Sequence, residues 1–131
     1  MHAAAYALDP QFLFCAEGEL DEATMEGLSA IFDRLCLRDA ILAAADPEKA
    51  WQEYTFHTPE VVARVAQVER ELSVYHNKEG AFSRPSVATN AKLLEPSKWW
   101  STYGKHVPLL AAIAQQVLSQ PASASAAERN W

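Results

Sequence analysis

The residues able to carry chemistry are few and dispersed. His2, His57, His76 and His106 are the four histidines, and none pairs with another histidine, a cysteine or a carboxylate at zinc-ligand spacing. Cys15 and Cys36 are the two cysteines, twenty-one residues apart. They make neither a CxxC pair nor a disulfide framework, and they fit a reducing, intracellular compartment. Both read as ordinary buried or half-buried thiols, and nothing singles out a Cys–His nucleophile. Glycine-rich phosphate loops and the GxSxG elbow are absent. Glu128 is a carboxylate in a motif, Ser125-x-x-Glu128, the form of a capping box in which the acid accepts from the N-cap amide. On these residues the chain is a helical packing module without a catalytic constellation, and no metal site is expected in this chain alone.

Composition points the same way. The 131 residues are one domain's worth of chain, half of them hydrophobic and about a fifth charged, as in a folded globular protein. Glycine is scarce, at four, and Ala, Leu, Glu and Gln dominate, which favours helix over a turn-rich β fold. The net charge of −6 is unevenly spread: residues 1–60 hold twelve acidic and three basic groups, residues 61–131 five and eight. Phosphate contacts need clustered Lys and Arg, so any DNA contact would favour the second half. The N-terminus lacks the basic region of a signal peptide, and no apolar run reaches the length of a membrane span; a soluble, non-secreted chain is expected.

The elements that position the side chains are helices throughout. Residues 2–8 suit a short helix stopped by Asp9-Pro10, followed by an apolar patch with Phe12 and Phe14 as core anchors. Asp21 is placed as an N-cap, before a face of Met25, Leu28, Ile31, Phe32 and Leu35 that extends toward Ile41 and Leu42. Asp46-Pro47 breaks this pattern ahead of a short segment with Trp51 and Tyr54. Thr58-Pro59-Glu60 opens the clearest helix, Thr58 as N-cap, with a seam of Val61, Val65, Val68, Leu72 and Tyr75 for packing against another helix, within the domain by default or on a partner chain. Residues 77–90 read as a linker rich in turn formers, with Phe82 tucked into the core. Pro96 opens a helix carrying Trp99 and Trp100, with Gly104 to end it. Pro108 opens another, with a stripe of Leu109, Leu110, Ile113, Val117 and Leu118 wide enough to call for a partner.

The order of parts from Pro96 onward resembles the C-terminal dimerisation region of hAT-superfamily DNA transposases and their domesticated descendants, most closely plant-type members. The residues that carry it are Pro96, Trp99-Trp100, Pro108-Leu109-Leu110-Ala111-Ala112-Ile113-Ala114, Val117-Leu118, the Ala-Ser run 122–127 and Glu128-Arg129-Asn130-Trp131. A looser likeness covers His2–Tyr6 with Leu8-Asp9-Pro10 and Phe12, and Tyr75 with Gly80-Ala81-Phe82.

The resemblance implies an all-α fold: a helical bundle-like fragment that joins the end of a helical insertion, 1–57, to the closing helices of an RNase H-like core, 58–131, without the core strands. It implies a protein dimerisation module, with self or related hAT-type chains as partners; Trp99, Trp100, Leu109, Leu110, Ile113, Val117 and Leu118 are the dimer or packing residues, with core packing the default reading and contact with a second subunit the alternative. DNA would be reached through regions absent from this chain, no membrane is involved, and the compartment is the nucleus. Family enzymes hold divalent metal, normally Mg²⁺, on two aspartates and a glutamate. Glu128 matches the third carboxylate, and the aspartates belong upstream of residue 1. The chain is therefore expected to be a truncated fragment, not catalytically competent alone and without a cofactor of its own. The alternatives are a part of an active Mg-dependent transposase that needs an upstream core, and a functionless transposon remnant.

Overall fold

Prolines set most of the helix starts. In the computed structural model, which describes residues 3–15 and 20–119, six helices begin with proline: α2 (Pro10–Phe14), α4 (Pro47–Glu53), α5 (Pro59–His76), α6 (Pro85–Leu93), α7 (Pro96–Tyr103) and α8 (Pro108–Leu118). The first helical position needs no amide donor, and proline drives the preceding residue out of the α region. The residues before five of these prolines (Asp9, Asp46, Thr58, Arg84 and Glu95) are extended accordingly. The other two helices are α1 (Ala3–Leu8) and α3 (Glu22–Ala43), and a 3₁₀ turn spans Gly80–Ser83. No strand occurs among the described residues; the fold is all-α. No helix among the described residues is long and apolar enough to cross a membrane.

Of the two N-caps read from the sequence, Asp21 forms and Thr58 does not. Asp21 accepts from the Thr24 amide at 2.7 Å and Asp46 from the Lys49 amide at 3.2 Å, and Asp9 caps α2 through Gln11 at 3.0 Å. Thr58 stands at the N-cap of α5 but makes no side-chain cap. Its hydroxyl turns back to accept from the Thr55 amide at 2.8 Å, closing the preceding turn instead. The C-terminus of α5 closes as a Schellman motif: the Glu79 amide donates to Val74 O and the Lys78 amide to Tyr75 O. Lys78, at φ 54°, occupies the left-handed position where glycine is customary, and its Nζ lies 5.3 Å from the centre of the Phe14 ring.

The linker expected over 77–90 is instead the 3₁₀ turn and most of α6. Turn formers dominate its composition, but Val87 and Ala91, four apart, are both fully buried, and that one apolar edge is enough to hold a nine-residue helix that proline has already started. Phe82 is buried as expected.

One core draws on both ends of the chain. Ala5, Ala7 and Leu8 of α1, Leu28, Ile31, Phe32 and Cys36 of α3, and Val68, Leu72 and Tyr75 of α5 share it with Trp99, Trp100, Leu110, Ile113 and Val117. The α5 seam packs within the chain, against α3 on one side and α8 on the other. The outer end of the α3 face does not: Ile41 is buried, while Met25 and Leu42 lie in solvent. Gly104 ends α7 for a steric reason. A Cβ there would stand 2.6 Å from Trp100 O and 2.8 Å from Ala111 Cβ, so only hydrogen lets α8 start this close to the end of α7.

Candidate functional site

The two adjacent tryptophans sit at the centre of an aromatic cluster. Trp99 stacks on Phe82 with centroids 5.6 Å apart and planes 6° from parallel. It meets Phe14 at 5.5 Å and Tyr103 at 5.6 Å in angled contacts. Trp100 stands nearly perpendicular to Trp99 and lies 4.7 Å from the Tyr75 ring. Both indoles are 0% exposed, and both use their polar edge. Trp99 Nε1 donates to Val87 O of α6 at 3.1 Å, and Trp100 Nε1 donates to Leu8 O of α1 at 2.7 Å.

The second bond completes the C-terminus of α1. A helix leaves its last carbonyls without intrahelical donors. Here Asp9 N–H serves Ala5 O and Tyr6 O, both at 3.1 Å. The Tyr75 hydroxyl lies 3.5 Å from Ala7 O, and Trp100 takes Leu8 O. The residues that carry the resemblance to hAT proteins thus finish a helix ninety residues upstream.

A buried carboxylate does the converse job for α8. Glu71 is 4% exposed and is the one charged residue in the core among those described. Its Oε1 accepts from the Leu110 amide at 2.9 Å, and its Oε2 accepts from Gln67 Nε2 at 2.7 Å. Val107, the N-cap of α8, has no side-chain acceptor to offer, so Glu71 supplies from α5 what the local sequence lacks. A negative charge at that end also suits the helix dipole. Sequence reading missed this residue because its partner lies thirty-nine positions away.

Of the stripe on α8, Leu110, Ile113 and Val117 are buried, whereas Leu109 and Leu118 are half-buried against the same core. Glu128 and its capping box, together with Arg129, Asn130 and Trp131, lie outside the described residues. Among the described residues no group of three or more His, Cys, Asp or Glu side chains is placed to hold a metal ion.

Residues 71–131 match the family described as the hAT family C-terminal dimerisation region. That stretch of the chain is similar to a hAT dimerisation region. No curated protein and no solved structure matches it. The hAT match begins at Glu71 itself and takes in the capping carboxylate, the aromatic cluster apart from Phe14, and α8, a little under half of the chain. The carbonyl acceptor for Trp100 and the face of α5 from Val61 to Val68 lie before it. The matched region is therefore packed on the chain's own upstream helices.

The thiol of Cys36 borders a small cleft of about 50 Å³ between α3, α5 and α8, with Arg64 and Leu109 on its walls. Burial, with Asp39 adding to it, pushes this thiol from 9.0 up to about 11. A neutral thiol is a poor nucleophile, so at pH 8 a folded sample is expected to leave Cys36 unalkylated by iodoacetamide while the half-buried Cys15 reacts first. The same shift has a stability consequence. Unfolded chain gives up the proton near 9 and folded chain only near 11, so the stabilisation is intact below pH 9 and is lost as pH rises toward 11. Denaturant titrations of the wild type and Cys36→Ala should show the wild type losing more stability across that window.

Proposed function

We propose that this chain pairs with a second hAT-type chain, its own or a related one, in the nucleus, and that it does not cut DNA by itself. The observation that carries the pairing is the match of residues 71–131 to the hAT dimerisation region. Support for the absence of cleavage comes from the donor set. Two-metal phosphodiester chemistry takes several carboxylates around the ions, and in this chain Glu128 alone corresponds to one of the family's three. One carboxylate does not fit a pair of Mg²⁺ ions, so no catalytic step is assigned to this chain. DNA would be engaged through other parts of an intact family protein.

Sedimentation equilibrium tests the pairing: an average mass that rises from monomer toward dimer across the micromolar range is expected, and a strict monomer at tens of micromolar overturns it. The match of Glu128 also favours a second reading, in which the chain completes an active site that upstream sequence supplies. Mixing the chain with such a core and Mg²⁺ would then nick DNA, and Glu128→Gln would abolish the nicking; equal activity of the two overturns that reading.

A further inference from the structure

The apolar stripe of α8 is turned into its own core. Leu110 is fully buried, Ile113 and Val117 nearly so, and Leu109 and Leu118 are half-buried against the same cluster. A second chain finds little of it at the surface. The hold on α8 is nevertheless narrow. From Pro108 to Leu118 the helix carries no charged side chain, and among the described residues two hydrogen bonds tie it to side chains of other helices. At its head the Leu110 amide donates to Glu71 Oε1 at 2.9 Å. Toward its tail Gln116 accepts from Arg38 at 3.2 Å, on the exposed surface. The seam between them is incompletely filled. The cleft of about 50 Å³ is lined by Leu109 and Ile113 of α8, Cys36 of α3 and Val68 of α5, and atoms that line a void forgo part of their dispersion contacts.

We infer that α8 is a lid latched at its head by Glu71, and that the closed lid is an autoinhibitory contact, withholding the stripe from a partner until α8 swings out. The inference rests on the pairing proposed above and supplies its regulation. Glu71 suits a latch because its bond acts in one state alone. Closed, Oε1 answers an amide that Val107 cannot serve, while Oε2 accepts from Gln67, itself held by Arg70. Open, the carboxylate and the Leu110 amide both reach water, so neither is left unpaired. The bond therefore favours the closed state without penalising the open one. Burial of Leu110, Ile113 and Val117 adds to that preference, so the open form is a minor population. Its size sets the pairing, because a partner that binds only the open form sees an apparent Kd equal to the intrinsic Kd divided by the open fraction. Loosening the latch weakens the fold and tightens the dimer.

Cys36 reports the lid without reference to pairing. Its thiol is 4% exposed in the cleft that Leu109 and Ile113 also line, so a reagent reaches it only through opening.

The test has two arms on the full chain, with Glu71→Gln and Val87→Ala beside the wild type. Val87, fully buried in α6, is the control for stability lost away from α8. In the first arm, labelling of Cys36 by excess iodoacetamide is followed by mass spectrometry at high dilution across a urea series. Opening a lid exposes little surface, so the rate should be nearly flat at low urea before it joins the steep limb of global unfolding. Glu71→Gln is expected to raise the flat part about fivefold, and Val87→Ala to raise only the steep limb. In the second arm, sedimentation equilibrium should find the Glu71→Gln dimer tighter by the same factor and the Val87→Ala dimer unchanged. Labelling that tracks global unfolding at every urea concentration overturns the lid. A flat part that Glu71→Gln leaves unmoved overturns the latch. A Glu71→Gln dimer no tighter than the wild type overturns the control of pairing, while the pairing itself stands. Monomers throughout overturn the pairing and its control together, and the labelling still decides the lid.

Discussion

Replacing Glu71 with leucine is expected to lower the unfolding free energy by about 1–3 kcal/mol, although leucine is the better core residue by hydrophobicity. The carboxylate is buried, and both of its oxygens are occupied: Oε1 by the Leu110 amide, Oε2 by Gln67. Leucine of similar size would remove a charge from the interior, a gain in some proteins. Here it would strand the Leu110 amide at the head of α8, where neither Val107 nor Pro108 offers an acceptor, and an unpaired buried donor costs its full desolvation. The stranded donor decides the sign. Glu71→Gln separates geometry from charge. Glutamine keeps an acceptor for Leu110 and gives up the attraction of a full charge for the helix end, so its loss should be about 1 kcal/mol. Urea unfolding of the three proteins gives both numbers, and a Glu71→Leu variant as stable as the wild type would refute the account.

The second large effect is expected at Trp100, and it is best read against its neighbour. Trp100→Phe keeps an aromatic ring among Tyr75, Phe82 and Trp99 and deletes the Nε1 donor. Leu8 O then loses its partner at the end of α1, where no further turn of helix supplies another. Trp99→Phe deletes a donor as well, but its acceptor, Val87 O, lies inside α6 and keeps the helical amide four residues on. Both variants leave a space where the indole stood. The orphaned carbonyl is the difference between them, so Trp100→Phe should cost about 1–2 kcal/mol more than Trp99→Phe. Equal midpoints in urea would mean that the Trp100–Leu8 bond contributes nothing. Hydrogen exchange should assign the extra loss to α1, with protection falling there before it falls in α3 or α5.

The sequence made the frame legible because this frame is written in local chemistry. Proline at a helix start, Asp at an N-cap and Gly104 at the end of α7 act within one turn, and a single sequence shows them directly. The core faces of α5 and α8 were legible for the same reason, since their spacing repeats over several turns. Three things were not. Helix α6 lies in a stretch whose Gly, Ser and Pro content reads as turns, and its apolar edge is only Val87 and Ala91, too short for a period to emerge. Glu71 looks like any exposed helical acid until α8 is laid across it. The exposure of Leu42 belongs to the same class: its spacing continues the buried face of α3, but Ile41 is the last buried residue on that face. Among the candidate contact residues, Trp99 and Trp100 were recognisable by type and spacing, whereas their hydrogen-bond partners on α6 and α1 come from the fold alone.

The bond from Trp100 to Leu8 closes a loop of ninety-two residues. In polymer terms, joining points that far apart costs about 4 kcal/mol of chain entropy, a cost that grows only logarithmically with the length enclosed. The lengths of the exposed turns within that span are therefore nearly free to vary, provided that α3, α5 and α6 still reach the core they share. A chain built this way can lengthen or shorten its intervening corner, the α3–α4 turn included, without loosening the clasp that holds the first helix against the aromatic cluster.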